Sequence, residues 1–207
     1  MKLHVHKKAF RALGISESFV KGKRTKSVLA GVVMRADGAV DGFVFSEATV
    51  GGMDATDKII GMHKALGRGD VNVLMLNGCV ISWYNVVDLN KVAEKTKFPL
   101  VCVTYDESEG LDKYFKELFP NDWETRVQVY HDNKERTQMT LKTGHAVYAR
   151  FLGMSEKEAK EVLDKFTTQG AVPEPLRVAR LLARATVKTL IPKSRAKRHA
   201  KTEGKEP

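Results

Sequence analysis

Apolar and polar residues alternate in strand fashion through the first third of the chain and take up helical spacing after it. Residues 12–18 (ALGISES), 27–36 (SVLAGVVMRA) and 40–47 (VDGFVFSE) are short runs rich in β-branched or aromatic residues, separated by the basic segment KGKRTK and the turn signal ADGA. They predict three strands, the last two forming a hairpin. From residue 55 the period changes: Ala55, Ile59, Met62 and Leu66 fall at spacings of four, three and four, predicting a helix that stops at GRGD. The continuous apolar runs at 71–78 (VNVLMLNG) and 99–105 (PLVCVTY) have the character of strands covered on both faces of a sheet. NVVDLNKVAEKT between them has helical spacing, so a strand, helix, strand unit with a right-handed crossover is expected.

GLDKYFKELF (110–119) predicts another helix, and TRVQVYHD (125–132) and HAVYARFLG (145–153) alternate like strands around the polar stretch NKERTQ. SEKEAKEVLDKF (155–166) predicts a helix, because Ser155 and Glu158 match the reciprocal hydroxyl and carboxylate pattern that closes a helix N-terminus. A final helix is expected from Pro173 to Leu190, where proline in the first turn sacrifices no hydrogen bond. Residues 191–207 are nearly free of apolar side chains and predict a basic, disordered tail, leaving residues 1–190 as a single domain.

Composition narrows the function classes. The 207 residues are 43% hydrophobic with a mean hydropathy of -0.30, as expected of a soluble globular protein. No apolar run approaches the roughly 18 residues that span a bilayer, and MKLHVHKKAF lacks a signal-peptide core, so the cytoplasm is the expected location. Cys79 and Cys102 match no zinc spacing and predict buried thiols, with no disulfide-linked partner. The excess of 35 Lys and Arg over 25 Asp and Glu, a net +10, points to a polyanionic partner, nucleic acid foremost.

Candidate chemistry centres on GGMDATDKII (51–60). Asp54 and Asp57 sit three residues apart, about 60° around a helix axis, and share a face at its N-terminal end. They can serve as caps there, or hold a hard divalent ion that takes carboxylate, water and phosphate oxygens. Glu17, at the end of the first strand, and Asp88, just after the fourth, offer further acids where open sheets collect ligands; Asp88 can equally start a helix. Asn77 ends the fourth strand with a neutral amide. Arg177, Arg180, Arg184 and Lys188 recur at spacings of three, four and four, a basic stripe able to track a phosphate backbone or to pair with carboxylates. Tyr84, within WYN (83–85), can stack on a base or belong to the core. The histidines show no metal spacing beyond His4 and His6.

Several segments in order, RALGISESF, LAGVVMRADGAVDG, TVGGMDATDKI, VLMLNGCVISWYNVVDLNKV, FPLVCV and PEPLRVARLLARA, resemble the archaeal endonuclease dU family, a relative of endonuclease V. That resemblance implies an α/β, ribonuclease H-like mixed sheet flanked by helices. It also implies a Mg²⁺-dependent endonuclease, Mn²⁺ serving as well, that cuts DNA near deaminated bases, deoxyuridine above all, in DNA repair. Glu17, Asp54 and Asp57 are then the expected catalytic metal ligands, with Asn77 and Asp88 as further candidates and Tyr84, Arg177, Arg180, Arg184 and Lys188 contacting nucleic acid. Where the family often has GIDD this chain has Gly14, Ile15, Ser16 and Glu17, and Asn77 stands where endonuclease V has an aspartate. Those neutral positions keep a second expectation open: a nucleic-acid-binding protein of the same fold that does not cut. A third is an interaction module whose basic tail docks an acidic protein or a ribosomal surface.

Overall fold

A computed structural model describes residues 3, 5–7 and 9–190; the expected basic tail and His4 lie outside the described residues. Three antiparallel strands open the fold: β1 (Arg11–Ser18), β2 (Lys26–Arg35) and β3 (Val40–Thr49). Helix α1 (Ala55–Leu66) leads to β4 (Val73–Asn77), which lies parallel to β1. A small β5–β6 ribbon (Val80–Ile81 and Asn85–Val86) precedes α2 (Leu89–Thr96) and β7 (Leu100–Thr104), which runs parallel to β4. Then come α3 (Asp112–Leu118), α4 (Trp123–Asp132), β8 (Thr137–Thr140), β9 (Ala146–Leu152), α5 (Glu156–Phe166) and α6 (Glu174–Leu190). The seven-stranded sheet has the order β3-β2-β1-β4-β7-β9-β8, mixed as expected, with the parallel strands at its centre.

The pleat sends alternate residues of the central strands into two cores. Leu13, Ile15, Leu74, Leu76 and Cys102 pack with Ile59, Met62, Leu89 and Val92 of α1 and α2. Ala12, Val73, Met75, Val101 and Val103 face the other way, onto Ala159, Val162 and Leu163 of α5 and Leu176 of α6. Helix α6 continues along β2 through Ala183 and Val187 against Val28 and Ala30. Its close approach to β1 depends on Gly14, where an added Cβ would lie 2.5 Å from the Pro175 Cβ and 2.6 Å from the Pro175 carbonyl carbon. The reciprocal cap is present as expected: Ser155 Oγ accepts from Glu158 N, and Glu158 returns a bond to the Ser155 N–H.

Residues 125–132 correct the strand expected there, since they belong to α4. Val127 and Val129 mimic alternation, but the anchoring residues recur at helical spacing: Arg126 is 3% exposed and Tyr130, four residues on, packs against the α1–α2 core. The polar stretch before β9 contains the edge strand β8, with Met139 as its buried residue. The helix anticipated across 85–96 begins only at Leu89, because Asn85 and Val86 pair with Val80 and Ile81.

Candidate active site at the carboxyl ends of β1 and β4

The parallel pairing of β1 and β4 ends at Ile15 with Leu76, so Ser16 and Asn77 are the next residues along each strand. Ser16 is 2% exposed, and its hydroxyl donates to the Leu176 carbonyl of α6 at 2.9 Å. This serine locks a helix to the sheet and offers no negative charge. The Asn77 amide makes no hydrogen bond among the described residues and lines a cavity.

Glu17 points to the opposite face of β1 from Ser16, so it does not stand in for an acid at position 16. Its carboxyl is mostly buried, and one oxygen, Oε2, has no hydrogen-bond partner among the described residues. Desolvation raises its pKa from 4.5 to about 6, against the opposing pull of the Ser82 backbone N–H and the Arg180 charge. A buried carboxyl with an unpartnered oxygen contributes nothing evident to packing.

The loop that touches Glu17 has unusual backbone. Ser82, Trp83 and Tyr84 have φ of 47°, 56° and 65°, three successive left-handed residues without a glycine. Ser82 Oγ shares a 2.6 Å hydrogen bond with Ser27 Oγ, and the Ser82 carbonyl accepts from Gly51 N at 2.8 Å. Gly51 is needed at this contact, since its φ is 72° and a Cβ would come within 2.8 Å of the Trp83 ring. Arg126 clamps both loops, donating to the carbonyls of Gly51, Gly52 and Tyr84, pairing with Asp122 at 2.7 Å and lying over the Phe119 ring.

Asp54 occupies the N-cap position of α1 but makes no side-chain cap bond. Its carboxylate turns back, accepting from Thr49 N at 2.9 Å, Thr49 Oγ1 at 2.8 Å and Asn85 Nδ2 at 2.8 Å, with Lys26 Nζ 3.8 Å away. Partial burial raises its pKa, but the bonds from Thr49 and Asn85 together with Lys26 outweigh it and hold the group below the usual carboxylate range. Asp57 is exposed and pairs with Lys91 Nζ at 2.9 Å. Asp88 caps α2, its Oδ1 accepting from Lys91 N at 2.8 Å. Among the described residues no three His, Cys, Asp or Glu side chains gather where an ion could sit, so the three-carboxylate cage of Glu17, Asp54 and Asp57 does not assemble. A Mg²⁺ ion can be held by a single carboxylate with water and substrate phosphate; Oε2 of Glu17 lacks a hydrogen-bond partner among the described residues but is closed off from solvent, so it meets that smaller requirement only once the rim over it opens.

The basic stripe of α6 is exposed throughout, on the side away from buried Leu176, Ala179, Ala183 and Val187. Arg177 pairs with Glu174, whereas Arg180, Arg184 and Lys188 form no ion pair among the described residues. Tyr84 is half-buried in an aromatic cluster with Trp83, Tyr114, Phe115 and Phe119. Asn85 and Arg126 are the residues sequence reasoning missed: the fully buried Asn85 amide joins Thr49, Asp54 and Ala55. An asparagine and an arginine amid ordinary polar residues carry no local signal of such roles.

Comparison with known proteins identifies the family and the fold. The family model described as endonuclease dU matches residues 8–187. A UPF0215 protein of Pyrobaculum calidifontis is 36% identical over 184 residues, covering 88% of this chain and 100% of the relative. A crystal structure of a protein of unknown function from Archaeoglobus fulgidus superposes with a TM-score of 0.75 at 27% identity, over 86% of this chain and 98% of that one. Endonuclease V of Ciona intestinalis, solved with a 24mer DNA containing an inosine followed by a ribo-adenosine, gives a TM-score of 0.58 at 11% identity, over 88% and 87% of the two chains. At that identity the likeness is one of fold, the ribonuclease H-like arrangement expected from the sequence.

Proposed function

Since the chain belongs to the endonuclease dU family, we propose that it is a nuclease that hydrolyses DNA phosphodiester bonds beside deaminated bases, deoxyuridine foremost, in the cytoplasm. The observation that carries this reading is the unpartnered oxygen of Glu17 at the end of β1, close enough to Arg180 to feel its charge. Glu17 would hold Mg²⁺ or Mn²⁺ there, and such an ion polarises a phosphate and lowers the pKa of water. Arg180, Arg184 and Lys188, which form no ion pair with a carboxylate among the described residues, hold the nucleic-acid backbone through its phosphates. Tyr84 and Trp83, presented by the left-handed loop, offer ring faces to a base drawn out of the stack. Asp54 supports that loop from below through Thr49 and Asn85.

A second reading, a binding protein of the same fold that does not cut, is favoured by Ser16 and Asn77 and by the internal engagement of Asp54. Oligonucleotides carrying uracil, hypoxanthine or no lesion, incubated with and without Mg²⁺, separate the two. Lesion-dependent strand breaks that need the ion and vanish in Glu17→Gln support the nuclease. Salt-sensitive binding with no breaks at any Mg²⁺ or Mn²⁺ concentration overturns it in favour of the second reading.

A further inference from the structure

The cavity that Asn77 lines opens at the carboxyl ends of β4 and β7, away from Glu17, with a volume of about 320 Å³, and continues into a neighbouring hollow of about 560 Å³. Arg136 and Arg150 line both. Arg150 lies on β9 opposite Cys102 and is only 8% exposed. Its Nε donates to the Lys134 carbonyl at 2.6 Å, its Nη1 meets Cys79 Sγ at 3.4 Å, and its plane lies over the Tyr130 ring. Nη2 has no partner among the described residues. Arg136 donates to Thr104 Oγ1, the Asp106 carbonyl and the Ser108 carbonyl, and lies over the Tyr148 ring. Asp106 and Glu107 also line the cavity, and Glu107, Glu109 and Glu135 line the hollow; all four are exposed and none forms an ion pair with either arginine.

Two guanidinium groups, one of them buried, are therefore held by carbonyls, a hydroxyl, a thiol and ring faces, with no carboxylate paired to either among the described residues. The one acidic group in contact among those residues is the Cys79 thiol, whose pKa is lowered by its hydrogen bond with Cys102 and by the two arginine charges. Desolvating a charge in this way is unfavourable, and an anion in the cavity relieves it. Guanidinium forks suit tetrahedral oxyanions, because two planes, one from the loop before β8 and one from β9, can each engage a separate pair of oxygens. The cavity exceeds the size of a bare phosphate and leaves room for a carrier. We propose that this pocket binds a phosphate monoester dianion, carried by a nucleotide or by a nucleic-acid end, between Arg136 and Arg150. The site uses neither Glu17 nor cleavage, so it stands or falls separately from the nuclease reading.

Calorimetric titration of the full chain tests it with inorganic phosphate, a deoxynucleoside 5′-monophosphate, the same nucleoside without phosphate, and one oligonucleotide with a 5′-phosphate or a 5′-hydroxyl. A phosphate-bearing ligand is expected to bind at least about tenfold more tightly than its phosphate-free counterpart, with Arg136→Gln and Arg150→Gln each removing that preference. Preference confined to the monophosphate identifies a free nucleotide as the ligand; preference confined to the 5′-phosphorylated strand identifies a nucleic-acid end. Arg136 is the more accessible of the two, so Arg136→Gln decides the matter should Arg150→Gln fail to fold. Equal binding with and without phosphate, or an undiminished preference in folded Arg136→Gln, overturns the proposal.

Discussion

Asp54 and Asp57 lie three residues apart, yet their environments give them different work. Removing the Asp54 carboxylate strands the Thr49 N–H, the Thr49 hydroxyl and the Asn85 amide, so Asp54→Ala should cost about 1–3 kcal/mol in urea denaturation at pH 7. Asp57→Ala breaks an exposed ion pair and should cost less than about 1 kcal/mol. Because the Asp54 pKa is depressed, its contribution is present at neutral pH and fades as pH falls through the folded-state value. Glu17 carries the opposite sign. Its folded pKa, about 6, lies above the ordinary 4.5, so the native state binds the proton more tightly and loses stability as pH rises through that interval. Glu17→Gln should therefore stabilise the protein by about 1–2 kcal/mol at pH 8 and by nearly nothing at pH 4, a difference read from melts at the two pH values. Spacing placed both aspartates at the start of α1, but the sequence carries no sign that one turns back onto its own loop. The reversal follows from Asn85, thirty-one residues away, whose amide meets Asp54.

Among the elements, those with one dominant period were legible. The alternating run of β2 and the four-three-four spacing of α1 leave one arrangement that buries their apolar residues. Helix α4 was not legible, because its valines alternate while Arg126, the residue that fixes it, is charged and owes its burial to three carbonyls, the Asp122 carboxylate and the Phe119 ring. Contact between α6 and β1 is set by Gly14 and the Ser16 hydroxyl. Gly14→Ala forces Pro175 outward and should cost about 1–3 kcal/mol, with the loss concentrated in α6 protection when hydrogen exchange is followed.

At the scale of the whole molecule, the mixed sheet order and the placement of α6 beside β1 bring a basic face that is unpaired at Arg180, Arg184 and Lys188 among the described residues next to Glu17, whose Oε2 is likewise unpartnered among them. Exchanging Arg180, Arg184 and Lys188 together for glutamine should lower the slope of log binding constant against log salt by about 3, with little change in fold. This juxtaposition was beyond sequence reasoning, since only the register of β1 with β4 decides that Ser16 faces the helix and Glu17 faces the loop. The Ser82–Tyr84 backbone has a mechanical meaning at this scale. Left-handed geometry at three ordinary residues stores roughly 1–2 kcal/mol apiece, like a coil held under tension by Ser27, Gly51 and Arg126. The rim that carries the Trp83 and Tyr84 rings and closes over Glu17 is thus fastened at three separate points, by the Ser27 hydroxyl, the Gly51 amide and the Arg126 guanidinium.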